Sequence, residues 1–129
     1  MESAPQSTLT LSPENGVIAH TNHFSSPGKL GVKQVLDEER RSTLHRYRRI
    51  NQLLTPIRDG NGKLSMNKAE AILKDHEGKP ESVCRHANPA FPEDERYQTV
   101  VSVIMDLYTG QLKATMGSPC ENSYQTLRL

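Results

Sequence analysis

Residues 99–107, TVVSVIMDL, restrict the possible folds more than any other stretch. Apolar positions alternate with period two. Val101, Val103, Met105 and Leu107 point one way, and Val100, Ser102, Ile104 and Asp106 point the other. The following YTGQ holds a Gly-containing turn and LKATMG reads as a returning strand, so a C-terminal β-hairpin is expected. Upstream, the period becomes helical. One helix is expected from about Asp37 to Leu54, because Leu44, Tyr47, Ile50 and Leu54 recur on one face. Asp37, Glu38 and Glu39 stand where the helix dipole favours acids. A second helix is expected from about Met66 to Lys74, with Ser65 as N-cap and Ala69, Ile72 and Leu73 inward. TPIRDGNGK between them is a turn by composition.

The first third is less regular. Residues 1–14 read as a polar leader rich in Ser, Thr and Pro, and residues 25–35 as a loop around Pro27, Gly28 and Gly31. Between them, NGVIAHTNHF (15–24) holds the apolar run Val17-Ile18-Ala19, expected as a strand, and then His20, Thr21, Asn22 and His23. A strand, two helices and a hairpin make an α+β arrangement. The core is thin: 34% of the 129 residues are aliphatic, aromatic or Cys, there is no Trp, and only two are Phe. A net charge of +1 gives no electrostatic footprint for nucleic acid or an anionic membrane surface. The longest apolar stretch is far shorter than a membrane span, and MESAPQSTLTLS lacks the plan of a signal peptide. The two cysteines, Cys84 and Cys120, lie too far apart in sequence for a disulfide framework, which points to a reducing compartment.

Several motifs carry candidate chemistry. DGNGKLS (59–65) resembles the middle of a calcium loop, but one register places Ile57 first and Lys68 last, and the other puts Lys63 on a ligand position and Leu64 where Gly is needed. Neither completes an oxygen cage, so an ordinary turn is expected. His20 and His23 are three apart, and Cys84 and His86 form a Cys-x-His pair. Neither has the paired spacing of a structural zinc site, and no metal or cofactor is expected. The basic run RRSTLHRYRR (40–49) reads as a solvated helix face. Cys84 in SVCRH has Arg85 and His86 as neighbours able to lower its pKa, although adjacent residues often point apart.

GVIAHTNHF, DHEGKPESVCRH and TVVSVIMDLYTGQLKATMGSPCENSY, in this order, resemble the C-terminal part of the penicillin acyltransferase family over about residues 9–127. That family comprises acyl-CoA:isopenicillin N acyltransferase and its peptidase-like and amidohydrolase relatives among the N-terminal-nucleophile (Ntn) hydrolases. The resemblance implies a partial αββα sandwich over residues 15–129. It implies attack on an amide or thioester by an N-terminal cysteine whose own α-amino group is the base. That cysteine lies upstream of the resembling region, so this chain is expected to lack it and to be inactive alone.

The resemblance also assigns residues. Asn22, in HTNH, matches the family's oxyanion-stabilising asparagine, with His20 and His23 supporting it. Arg96 matches an arginine near the nucleophile and acyl group, with Glu95 in place of the family's serine; Arg85 competes for that role. The plainer readings are a turn residue for Asn22 and a solvated loop arginine for Arg96. The implied partners are an acyl-CoA or amide small-molecule substrate and an upstream nucleophile-bearing half. A second reading is a non-catalytic binding or regulatory remnant that pairs with a full-length paralogue. The expected location is cytoplasmic. Leu127-Arg128-Leu129 offers a peroxisomal alternative with Leu127 in place of the usual small residue.

Overall fold

The computed structural model describes residues 1–35 and 38–128, with the backbone alone at 38–41. The expected first-turn acid Asp37 lies outside the described residues. The chain is α+β and divides into two compact units, Met1–Gly62 and Lys63–Leu129.

The first unit opens with a hairpin where a polar leader was expected. Strands β1 (Glu2–Ala4) and β2 (Ser7–Leu9) pair antiparallel, with Glu2 opposite Leu9. Pro5 supports the tight turn because its ring presets φ. The strand expected within 15–24 does not form; only a single bridge joins Glu14 to Val17. Asn15 and Gly16 between them have φ of +48° and +79°, the left-handed pair that closes a two-residue turn. The chain therefore reverses where the strand would begin. The short apolar run then has no partner strand among the described residues, and Ile18 is 51% exposed. A 3-10 turn over Pro27–Leu30 buries Leu30, and the Ser7 hydroxyl donates to its carbonyl at 2.6 Å.

Helix α1 (Glu38–Arg58) runs past its expected end at Leu54. Pro56 is tolerated because it sits in the last turn, where only one intrahelical donor is lost. Thr43 and Leu54 are buried and Tyr47 and Ile50 half-buried, so spacings of four and three mark the inward face. Asn61 N donates to Pro56 O at 2.9 Å, and the Asn15 side-chain amide donates to Arg58 O at 3.0 Å. Both satisfy carbonyls left open at the helix end.

The second unit follows the expected order and adds a strand. Helix α2 (Met66–Leu73) begins at Ser65, whose hydroxyl accepts from Lys68 N at 3.2 Å. Strands β3 (Val101–Asp106), β4 (Gln111–Met116) and β5 (Gln125–Arg128) form one antiparallel sheet in that order. α2 packs against β3, where Ile72 and Ile104 are buried. Lys113 Nζ on β4 meets Glu70 Oε1 on α2 at 2.7 Å. The two faces of β3 separate as its alternation predicts, and the more apolar one is the one in water: Val101, Val103 and Met105 are exposed while Ser102 and Ile104 are buried. Among the described residues, no helix is long and apolar enough to cross a membrane.

Candidate functional site

The HTNH stretch lines a cleft of about 430 Å³ in the first unit, with Glu2, Phe24 and Gln34 among its other walls. Two hydroxyls fix one imidazole. Thr21 Oγ1 donates to Thr43 O at 3.0 Å, and Thr43 Oγ1 donates to Thr21 Oγ1 at 2.9 Å. Both hydrogens are thereby used. His23 Nδ1, 3.0 Å from Thr21 Oγ1 and 3.1 Å from Thr43 Oγ1, must then carry its own hydrogen and donate. That tautomer leaves His23 Nε2 with a lone pair. Burial, then the charges of His20 and Arg46, hold His23 below the ordinary imidazole range against the opposing pull of Glu2. His23 is therefore neutral at neutral pH and able to accept a proton. Its ring stands edge-on to Tyr47, with centroids 5.1 Å apart.

Among the described residues, one neighbour orients Asn22. Arg46 Nη2 donates to Asn22 Oδ1 at 2.9 Å. A guanidinium has no acceptor, so the oxygen must face Arg46 and the amide nitrogen must face away. That nitrogen has no partner among the described residues, and Asn22 is exposed at the cleft. The basic run expected as a solvated face thus supplies the residue that orients Asn22, which its charge pattern did not signal.

Glu2 is buried in the wall of the same cleft. Its Oε1 accepts from His20 Nε2 at 2.8 Å and from Ser25 N at 2.6 Å. Burial raises its pKa, but the Ser25 N–H and His20 outweigh that and hold the carboxyl below its ordinary value. The other oxygen, Oε2, is buried without a hydrogen-bond partner among the described residues. Of these groups the exposed Asn22 amide is the donor the cleft offers, while the carboxylate oxygen of Glu2 is sealed inside the wall.

The arginines singled out from sequence lie in the second unit. Arg96 is exposed just after a 3-10 turn (Glu93–Glu95), and its Nε donates to Phe91 O at 2.9 Å. Arg85 is half-buried, 2.7 Å from Glu81 Oε2, and stacks over the Tyr97 ring at 5.2 Å.

The same unit gathers four side chains, of which the sequence pairs only Cys84 with His86. His76, Cys84, His86 and Cys120 place one donor atom each within 4.8 Å of all the others. Cys84 Sγ lies 3.7 Å from His86 Nε2, so this neighbour does turn toward the thiol. The thiol is not activated by it. Burial pushes Cys84 up to about 11, and Cys120 contributes in the same direction through its side chain. A thiol held there is protonated at neutral pH and is a poor nucleophile. Burial, then the charge of Lys79, hold His86 below the ordinary imidazole range despite Glu121.

The sequence model of a family described as acyl-coenzyme A:6-aminopenicillanic acid acyl-transferase matches residues 1–121. No curated protein matches the chain significantly.

Proposed function

Since this chain belongs to the acyl-coenzyme A:6-aminopenicillanic acid acyltransferase family, we propose that it forms part of an Ntn-type acyltransferase or amide hydrolase, to which it contributes the oxyanion donor Asn22. The observation that carries this reading is the Arg46–Asn22 hydrogen bond at 2.9 Å, which turns the amide N–H outward at the cleft. The nucleophile in this scheme is the thiol of an N-terminal cysteine on an upstream segment. It attacks the carbonyl carbon of an acyl-CoA thioester or an amide, and the cysteine's α-amino group takes its proton. The carbonyl oxygen becomes an oxyanion, which Asn22 stabilises by a hydrogen bond that strengthens as charge develops. The intermediate collapses by breaking the bond to the CoA sulfur or amine, which takes the proton. Water or an acceptor amine then resolves the acyl-enzyme. His20 and His23 hold the oxyanion segment in shape, and Arg96 is proposed to lie near the acyl group.

The test is steady-state kinetics on the processed enzyme containing this segment, with cleavage followed by gel. Asn22→Ala should lower kcat on the order of a hundredfold to a thousandfold with little change in KM. Asn22→Asp should be at least as harmful, because a carboxylate repels the oxyanion. Arg46→Ala should give a smaller loss, since it frees the amide to turn without removing it. A processed Asn22→Ala enzyme with near-native kcat would refute the assignment.

A further inference from the structure

Four donors converge in the second unit from three separate backbone segments. His76 follows α2, Cys84 and His86 belong to the loop after it, and Cys120 sits in the turn after β4. Tetrahedral zinc bonded at about 2.3 Å to sulfur and 2.05 Å to nitrogen spaces its ligands about 3.8 Å (S to S), 3.6 Å (S to N) and 3.3 Å (N to N) apart. The Cys84–Cys120 sulfurs are 3.6 Å apart. His86 Nε2 lies 3.7 Å from the Cys84 sulfur and 3.4 Å from that of Cys120. His76 Nε2 and His86 Nε2 are 3.1 Å apart. These four of the six edges fall within about 0.3 Å of their tetrahedral values, and the two from His76 to the sulfurs are within 4.8 Å. We propose that His76, Cys84, His86 and Cys120 form a structural S2N2 site for a zinc-class divalent cation.

The surrounding chain is built to hold the donors. Cys84 N donates to Asp75 O and His86 N to Pro80 O, each at 3.0 Å, and Ser82 Oγ donates to Cys84 O at 2.6 Å. The Cys120 turn is closed by Glu121 N and Asn122 N, which donate to Ser118 O at 3.1 and 3.2 Å. An outer carboxylate is also in place: Glu121 Oε1 is 3.7 Å from His86 Nδ1, the ring nitrogen opposite the one that faces the cluster. A carboxylate there favours the Nδ1–H tautomer and leaves Nε2 free to ligate. Lys79 is the nearby charge that opposes a cation.

Both cysteines are free thiols, and their sulfurs stand at a tetrahedral edge rather than at bonding distance. Binding would displace two thiol protons, so Zn²⁺ and two thiolates make a neutral centre with two neutral imidazoles. Soft sulfur with imidazole selects zinc over hard cations such as calcium and magnesium. Four protein ligands leave no open coordination position, which makes the role structural. Buried Cys84 anchors the site, and exposed His76 and Cys120 give the ion a way in. A unit whose fully buried side chains are mainly small or polar, Ser82, Cys84, Thr115 and Pro119, gains most from such a tie. The proposal rests on Lys63–Leu129 alone and is independent of the role of Asn22.

The experiment uses the full chain, reduced and stripped by chelator. Zinc affinity is measured by competition with a chromophoric chelator, and Co²⁺ is added as a spectroscopic substitute. Expected are one-to-one binding tighter than roughly 0.1 µM, intense tetrahedral cobalt bands and thiolate-to-cobalt charge transfer. Cys120→Ser, at an exposed position the fold tolerates, should weaken binding at least about a hundredfold and reduce the charge-transfer band. Glu121→Gln should weaken it by about tenfold with the cobalt spectrum kept. The proposal is overturned if the reduced chain binds no stoichiometric zinc or if Cys120→Ser binds as tightly as the native chain. It is overturned equally if the chain forms a Cys84–Cys120 disulfide and its reduced form rejects the metal.

Discussion

His23 couples the cleft to pH. Its ring is held neutral by burial and by the charges of His20 and Arg46, while its Nδ1–H bonds two threonine hydroxyls. The folded-state pKa therefore lies below the ordinary value of 6.5. As pH falls through about 6.5, the unfolded chain takes up a proton on this residue first. Stability from His23 is complete above that pH and declines until the folded-state value is reached. Replacing His23 with Gln should remove this part of the pH dependence. The measurement is the denaturant midpoint at about pH 7.5 and about pH 5.5 in both proteins, and equal losses in the two would contradict the prediction. The family resemblance pointed to HTNH, where the residues alone gave only a polar end to an apolar run. It could not point to Arg46, because a basic helical run looks the same whether or not one member turns to an amide.

At the scale of elements, legibility followed how local the signal was. Ser65 before Met66-Asn67-Lys68 is a self-contained start signal, and the hydroxyl-to-Lys68 bond forms as expected. Ser65→Ala should cost about 1 kcal/mol in chemical denaturation, and Ser65→Asp about nothing, because Asp caps equally well. An unchanged midpoint in Ser65→Ala would mean that packing against β3 alone holds α2. The strand expected at 15–24 failed for an equally local reason. Asn15-Gly16 is a strong turn signal and outweighs three apolar residues. β1, β2 and β5 were missed because each has only three or four residues and little apolar content. The four-donor cluster was illegible because His76 and Cys120 lie far from the Cys84-x-His86 pair in sequence, and only tertiary structure joins them. The DGNGKLS stretch stays a turn, with Gly60 at φ +74°.

For the whole molecule, the face of the β3–β4–β5 sheet away from α2 matters most. Val101 opposes Met116, Val103 opposes Ala114, and Met105 opposes Leu112, which in turn opposes Leu127. Val101, Val103, Met105, Met116 and Leu127 are all exposed, so the rows form a contiguous apolar strip. Water cannot be shed from that strip except by contact with another surface. The 129-residue chain by itself should therefore bind an apolar dye and gain average mass with concentration in sedimentation. Val103→Lys should suppress both, with a change in stability within about 0.5 kcal/mol, because the side chain is already in solvent. Unaltered sedimentation in that variant would show that the strip is not the adhesive surface. For anyone preparing this chain, solubility is then governed by a few side chains on one sheet face, separate from those that line the cleft or gather the thiols. A single charge there provides a soluble sample in which both remain available for study.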